Sequence, residues 1–257
     1  RVKLLYPVYR LFEKWLLSKA QTIVCTSQNY LDTSQPLSKF RDKCVVIPLG
    51  ITTEVPPSRP SRQIDNSTHT SDQPPAQPND QLNNSHQLNL LCVGRLTYYK
   101  GHAVLLDAIA ELTDVHLDIV GEGEERAVLE SQIASLGLSS RVTLHGQVSD
   151  ATLTAYMMNT DLLCLPSVER TEAFGLVILE AARCKKPALV TDVNGSGMSW
   201  VVQDGKTGWV VPAGNGDAMR ESRKEIQRNK PVISVLGRAA HERLVSNFPA
   251  EGIAKRL

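Results

Sequence analysis

The sequence predicts an α/β fold built on a doubly wound parallel sheet. Two observations carry that prediction. Six short runs rich in apolar residues lie between Leu88 and Pro212, most of them apolar at nearly every position, as strands covered on both faces must be. Segments with helical apolar spacing separate them, so each strand can be followed by a crossover helix and a parallel neighbour.

Taken in order, Tyr6, Tyr9, Phe12, Trp15, Leu16 and Lys19 follow helical spacing with charges between them. This amphipathic helix is read as packing on a neighbouring core, with contact to a membrane as the alternative. TIVCTS (Thr22 to Ser27) and KCVVIPLGI (Lys43 to Ile51) read as strands, the second ended by Pro48 and Gly50. From Thr53 to Gln87 only Val55, Ile64, Ala76 and Leu82 are clearly apolar, and six of the 14 prolines fall there. Such a stretch buries too little apolar area to offset the entropy of ordering it, so a disordered insert or linker is expected.

Strands and helices then alternate. LNLLCVG (Leu88 to Gly94) is followed by a helix over Gly101 to Leu112. VHLDIVG (Val115 to Gly121) is followed by Glu125 to Leu136, and RVTLHG (Arg141 to Gly146) by Ala151 to Met158. DLLCLP (Asp161 to Pro166) leads to a helix over Gly175 to Cys184. PALVT (Pro187 to Thr191) leads to a short helix around Trp200, and GWVVP (Gly208 to Pro212) to helices running to the end. In such a domain a ligand binds beyond the carboxyl ends of the strands.

Composition narrows the function. Lys and Arg number 28 against 27 Asp and Glu, a net charge of +1 that lacks the basic excess of a dedicated nucleic-acid binder. No apolar run approaches the ~18 residues of a membrane span, and no secretory signal is visible. The five cysteines form no CxxC pair and read as reduced thiols, four of them within apolar runs. The six histidines lack metal-ligand spacing, so no metal site is expected.

Among the motifs, Gly121-Glu-Gly123 lacks the third glycine of a dinucleotide fingerprint, since Arg126 stands there, and reads as a strand-end turn. P-loop and GxSxG patterns are absent. Two loops remain. In VGRLTYYKG (Val93 to Gly101), Arg95 and Lys100 sit on one strand-end loop between Gly94 and Gly101, a pattern suited to an anion. In SVERTEAFGLVILEA (Ser167 to Ala181), the helix opening near Gly175 offers unpaired amides to an anion. Glu172 lies just before that helix and Glu180 about a turn and a half in, and both carboxylates suit sugar hydroxyls.

At these residues the sequence resembles the retaining glycosyltransferases of family 4, which have the two-domain GT-B fold. The likeness runs from about Val46 to Phe248 through VIPLG, VGRL with KG, LDIVGEG, VTLHG, LCLPS, EAFGLVILEA, KKP and DGKTGWVVPAGN, and Glu172 and Glu180 have the E-x7-E spacing. GSGMSWVVQDGKTG resembles bacterial members that build surface polysaccharides. The resemblance implies that Arg95 and Lys100 neutralise the diphosphate of a UDP- or GDP-sugar donor, with Gly94 at the same loop. It implies that Glu172 hydrogen-bonds the transferred sugar. Phe174, Gly175 and Leu176 would present backbone amides near sugar and phosphates, Glu180 would bind the ribose, and the base would lie near the loops after Gly121 and His145. It further implies no metal or other cofactor, a sugar or lipid-linked acceptor, and a cytoplasmic location or the inner face of the membrane.

The chain departs from the family in three places. Lys185 and Lys186 precede the proline of KKP, where a small residue and glycine are usual. The insert lengthens the interdomain region. Residues 1–52 read as a remnant of the N-terminal, acceptor-side domain, 53–87 as the polar insert, and 88–257 as the C-terminal Rossmann-like nucleotide-sugar-binding domain. Three readings therefore stand: a glycosyltransferase, a catalytically incomplete nucleotide-sugar-binding fragment or subunit, and a nicotinamide-dependent oxidoreductase, which the broken glycine fingerprint disfavours.

Overall fold

The structure, a computed structural model, describes residues 2–55 and 87–255. It opens with α1 (Val2–Lys19), β1 (Ile23–Cys25), α2 (Gln28–Thr33) and, after two single-turn helices, β2 (Cys44–Val46). The polar insert expected at 53–87 lies, apart from 53–55 and Gln87, outside the described residues. The chain continues through β3 (Leu88–Val93), α3 (His102–Ile109), β4 (Val115–Val120), α4 (Arg126–Ser135), β5 (Val142–Gly146), α5 (Asp150–Asn159), β6 (Leu162–Leu165), α6 (Leu176–Arg183), β7 (Ala188–Asp192), α7 (Met198–Val201), β8 (Gly208–Pro212), α8 (Gly216–Arg228), α9 (Pro231–Asn247) and α10 (Ala250–Ala254).

Strands β3 to β8 form one parallel sheet in the order β5-β4-β3-β6-β7-β8. This is the doubly wound arrangement the alternation predicts. The order reverses between β3 and β6, which places a crevice above their carboxyl ends. Successive residues of β3 serve opposite faces, as the strand's two-residue period requires. Leu88, Leu90 and Cys92 pack with Leu105 and Leu106 of α3, Leu129 of α4 and Met219 of α8. Leu91 packs on the other face with Tyr156 of α5, Ile178 of α6, Met198 of α7 and Leu244 of α9. Side-chain caps start α5 and α8: Ser149 accepts from the Thr152 amide, and Asn215 from the Ala218 amide.

The N-terminal segment forms its own two-stranded parallel sheet, β1 with β2, over a small core of Cys25, Leu31 and Leu37. Val24 and Val45, on the opposite face of that sheet, are exposed. The core-packing expectation for the first helix is met in small part. Leu17 joins the small core, while Tyr9, Leu11, Phe12, Trp15 and Leu16 of α1 are exposed. No helix among the described residues is long and apolar enough to cross a membrane. All five cysteines are free thiols; Cys25, Cys92 and Cys164 are buried, and Cys44 and Cys184 half-buried.

Candidate active site

The loops after β3 and β6 meet above the sheet because the two strands are neighbours. The first loop turns through a single 3-10 turn, Tyr98–Lys100, and enters α3 at Gly101 in the left-handed conformation. Glycine is required there twice over: φ is +71°, and a β-carbon would stand 2.1 Å from the Pro166 carbonyl oxygen. The Val168 amide donates to the Tyr99 carbonyl at 2.8 Å, and the Tyr98 hydroxyl donates to Glu169. These contacts zip the two loops together.

The result is an ion pair. The Lys100 ammonium donates to the Glu172 carboxylate, with the two side chains only 14% and 12% exposed. Gly94 leaves room for it, since a β-carbon there would lie 3.0 Å from Lys100 Nζ. Nearby, burial pushes the Cys92 thiol up to about 12, with Lys100 drawing it down and Glu172 pushing it further up. The thiol therefore stays protonated. His102, the first residue of α3, is buried with no hydrogen-bond partner on either ring nitrogen. Burial, assisted by the Lys100 charge, lowers it to about 4 and holds it neutral.

Arg95 stands apart from this pair. Its side chain is 71% exposed and faces Glu124 at 3.7 Å, at the rim of the crevice. Gly175 stands at the start of α6. Its positive φ begins α6, and its missing β-carbon points inward, where Ile178 Cδ1 would lie at 2.8 Å and Leu165 Cδ2 at 3.0 Å. The amides of the first turn are left without a side-chain cap. Phe174 is buried against Trp200 and Phe248, so it can serve a ligand only through its backbone, while Leu176 is exposed. Glu180 is half-buried on the second turn of α6, and its carboxylate makes no hydrogen bond or ion pair among the described residues. Burial raises its carboxyl above the usual range, Arg183 lowers it and Asp150 raises it.

The Gly121-Glu-Gly123 turn packs against the Arg95 loop. A β-carbon at Gly121 would sit 2.0 Å from the Gly94 carbonyl oxygen, and one at Gly123 2.2 Å from that of Leu96. These glycines therefore allow two strand-end loops to touch, in agreement with the turn reading. Beside them, on β4 and β5, His145 Nε2 meets Asp118 Oδ1 at 2.6 Å while its Nδ1 meets the Tyr156 hydroxyl at 2.9 Å. Burial pushes the Asp118 carboxyl up, but hydrogen bonds from His116 and His145 outweigh it and hold it at about 2. Among the described residues no group of three or more His, Cys, Asp or Glu side chains could hold a metal ion.

Sequence reasoning missed Ser196, whose hydroxyl donates to the Glu172 main-chain carbonyl. Its signal was the GSG stretch, whose Gly195 takes a positive φ.

Comparison with known proteins identifies the family and the fold. The family described as glycosyl transferases group 1 matches residues 75–243. D-rhamnosyltransferase WbpZ of Pseudomonas aeruginosa is 31% identical over 97% of this chain and 61% of its own length. O-antigen chain mannosyltransferase C of Escherichia coli is 30% identical over 97% and 62%. The chain thus spans about three fifths of the length of these relatives. Among solved structures, sucrose-phosphate synthase of Thermosynechococcus elongatus superimposes with a TM-score of 0.75 at 24% identity, over 97% of this chain and 60% of that one. Anabaena Alr3699/HepE in complex with UDP does so with a TM-score of 0.74 at 22% identity, over 92% and 62%. The sheet and crevice are those of a GT-B Rossmann-like domain, and the chain belongs to the glycosyl transferases group 1 family.

Proposed function

We propose that the chain is the donor-binding part of a retaining, family 4 glycosyltransferase. It would transfer a sugar from a UDP- or GDP-sugar to a sugar or lipid-linked acceptor in cell-surface polysaccharide or glycoconjugate synthesis. The observation that carries this reading is the Lys100–Glu172 pair at the β3–β6 crevice. A cation and a carboxylate held side by side match a ligand with a phosphate next to hydroxyls. The WbpZ and O-antigen mannosyltransferase names support the polysaccharide setting, and the UDP complex of the Anabaena protein supports the donor class.

Lys100 would turn its ammonium to the diphosphate, and Arg95 would swing in from the rim. An exposed pair such as Arg95–Glu124 contributes ~0–1 kcal/mol, so little opposes that movement. Glu172 would accept hydrogen bonds from the transferred sugar, and Glu180 from the ribose. The first amides of α6 would face the phosphates. As the glycosidic bond to phosphate breaks, negative charge grows on the leaving diphosphate, so these cations and dipoles stabilise the transition state more than the bound donor. In this reading the protein's own charges do the work for which other enzymes recruit a metal. The acceptor hydroxyl would attack from the face the diphosphate leaves, passing its proton to the departing phosphate oxygen, and the products would form in the cytoplasm or at its membrane face.

A thermal-shift titration with UDP, GDP and NAD tests the site, because a ligand that binds only the folded state raises apparent stability. Stabilisation by UDP or GDP, weakened in Glu180→Ala, is expected, with none from NAD. A folded chain that neither diphosphate stabilises would overturn the donor site. The alternative, a catalytically incomplete nucleotide-sugar-binding fragment or subunit, is favoured by the two-stranded β1–β2 sheet with Val24 and Val45 exposed. It predicts diphosphate binding without transfer.

A further inference from the structure

We propose that Asn29 and Ser196 are positioning residues for Glu172, so that the docking of α2 onto the strand ends sets how the donor's sugar is held; this rests on the reading of Glu172 as the sugar contact. Glu172 lies in a loop without ladder hydrogen bonds, tied locally by its amide to the Glu169 carbonyl at 3.1 Å. Its own carbonyl is held by the hydroxyl of Ser196, which is fully buried. Ser196 is fixed in turn. Its amide donates to the Val193 carbonyl at 2.9 Å, and its carbonyl accepts from Asn29 Nδ2 at 3.2 Å. The same Asn29 nitrogen donates to Ser199 Oγ at 3.0 Å.

Asn29 belongs to α2, which is capped by the buried Ser27 and braced by a 2.7 Å bond from Thr33 Oγ1 to the Asn29 carbonyl. Space for this helix is made at Gly195. A β-carbon there would lie 2.6 Å from Thr33 Oγ1 and 3.1 Å from the Arg170 guanidinium. Arg170 stacks over the Tyr30 ring at 4.6 Å. Helix α2 therefore grips the Glu169–Glu172 loop at two points, directly through Arg170 and by relay through Ser196. The relay touches the loop's backbone and meets Lys100 only through the Glu172 carboxylate, so its loss should weaken the sugar contact more than the diphosphate contact.

That separation is the test. Dissociation constants for UDP and UDP-glucose, and for GDP and GDP-mannose, are measured by calorimetry on the parent chain, Asn29→Ala, Asn29→Asp, Ser196→Ala and Glu172→Gln. The base that the parent binds is then used throughout. Asn29 is half-buried on a helix surface, so its variants remain folded even where Ser196→Ala does not, and melting curves verify this. Asn29→Ala and Asn29→Asp should leave diphosphate affinity within about twofold and lower nucleotide-sugar affinity about fivefold, the effect of one lost hydrogen bond. In a Glu172→Gln background Asn29→Ala should cost nothing further. The proposal is overturned if Glu172→Gln loses the sugar increment while the folded Asn29 variants keep it. It is equally overturned if diphosphate and nucleotide-sugar affinities fall together. Should Glu172→Gln itself keep the sugar increment, the sugar-contact reading of Glu172 fails, and the proposal falls with it.

Discussion

Lys100 and Glu172, 72 residues apart in sequence, form a nearly enclosed ion pair where β3 and β6 end side by side. Neither charge is well solvated, so each depends on the other. Lys100→Ala leaves the carboxylate unpaired and should cost about 2–3 kcal/mol of unfolding free energy, with a loss of diphosphate affinity of about tenfold or more. Lys100→Met combined with Glu172→Leu should recover much of the stability and none of the binding. Urea unfolding and calorimetry check both; a double variant as unstable as Lys100→Ala would show that the pair holds the fold by more than mutual compensation.

Lys185 is the one non-glycine residue at positive φ among the described residues, at +57°. It ends α6: its amide donates to the Ala182 carbonyl and that of Lys186 to Ala181, each at 2.9 Å. Glycine suits such a position, and Lys185 is one of the two lysines that set the KKP stretch apart. Lys185→Gly should stabilise the chain by about 1 kcal/mol, by relieving the left-handed strain. The opposite change at a neighbouring site should do the reverse. A β-carbon on Gly237 of α9 would come within 2.0 Å of the Lys185 carbonyl oxygen, so Gly237→Ala should cost about 2–3 kcal/mol. Denaturant midpoints of the two variants would have to move in opposite directions.

His102 makes a pH prediction. Its pKa in the folded chain is about 4, below the ordinary 6.5, first because of burial and then because of Lys100. The unfolded state therefore binds the proton more readily, and stability falls as pH drops from about 6.5 toward 4. The full effect is on the order of 3 kcal/mol. Unfolding free energies across pH 4–7, compared between the parent chain and His102→Asn, isolate it: the parent curve should be steeper over that window. Parallel curves would place the imidazole in solvent.

The sheet was legible because a strand buried on both faces must be largely apolar: β6 is so throughout, β3 is broken only by Asn89, and β7 is apolar up to Thr191. The alternation of helices then left little choice of topology. The site was legible by residue type and not by contact. Arg95 and Lys100 share a loop, yet only Lys100 is directed inward, because Gly101 against Pro166 fixes that end of the loop while Arg95 lies exposed near Glu124 at the rim. Gly175 was visible as a helix start, but its inward packing on Ile178 depends on a neighbour three residues along a helix whose phase the sequence does not fix. Ser196 was missed because a serine between two glycines looks like a loop residue until the fold places it beside Glu172.

The aromatic cluster of Phe174, Trp200 and Phe248 ties the loop that carries Glu172 to the region after α9. The rings meet edge to face, with centroids 5.7 to 6.4 Å apart, and Phe248 is buried beneath the Arg243 guanidinium. Phe248 also carries a backbone contact to the N-terminal segment: its carbonyl accepts from the Ile51 amide at 3.2 Å, and the Ala250 amide returns a bond to the Ile51 carbonyl at 3.0 Å. Gly50 allows this approach, since a β-carbon there would stand 2.7 Å from the Phe248 carbonyl oxygen. Phe248→Ala should therefore cost about 3–5 kcal/mol globally. It should also speed hydrogen exchange at Ile51 by more than global destabilisation explains. Phe248→Leu, which refills most of the volume, should cost less and leave the Ile51 amide protected. If exchange at Ile51 instead tracks global stability in both variants, the ring is ordinary core and the N-terminal segment is anchored elsewhere, through the contacts of α2 with Ser196 and Arg170.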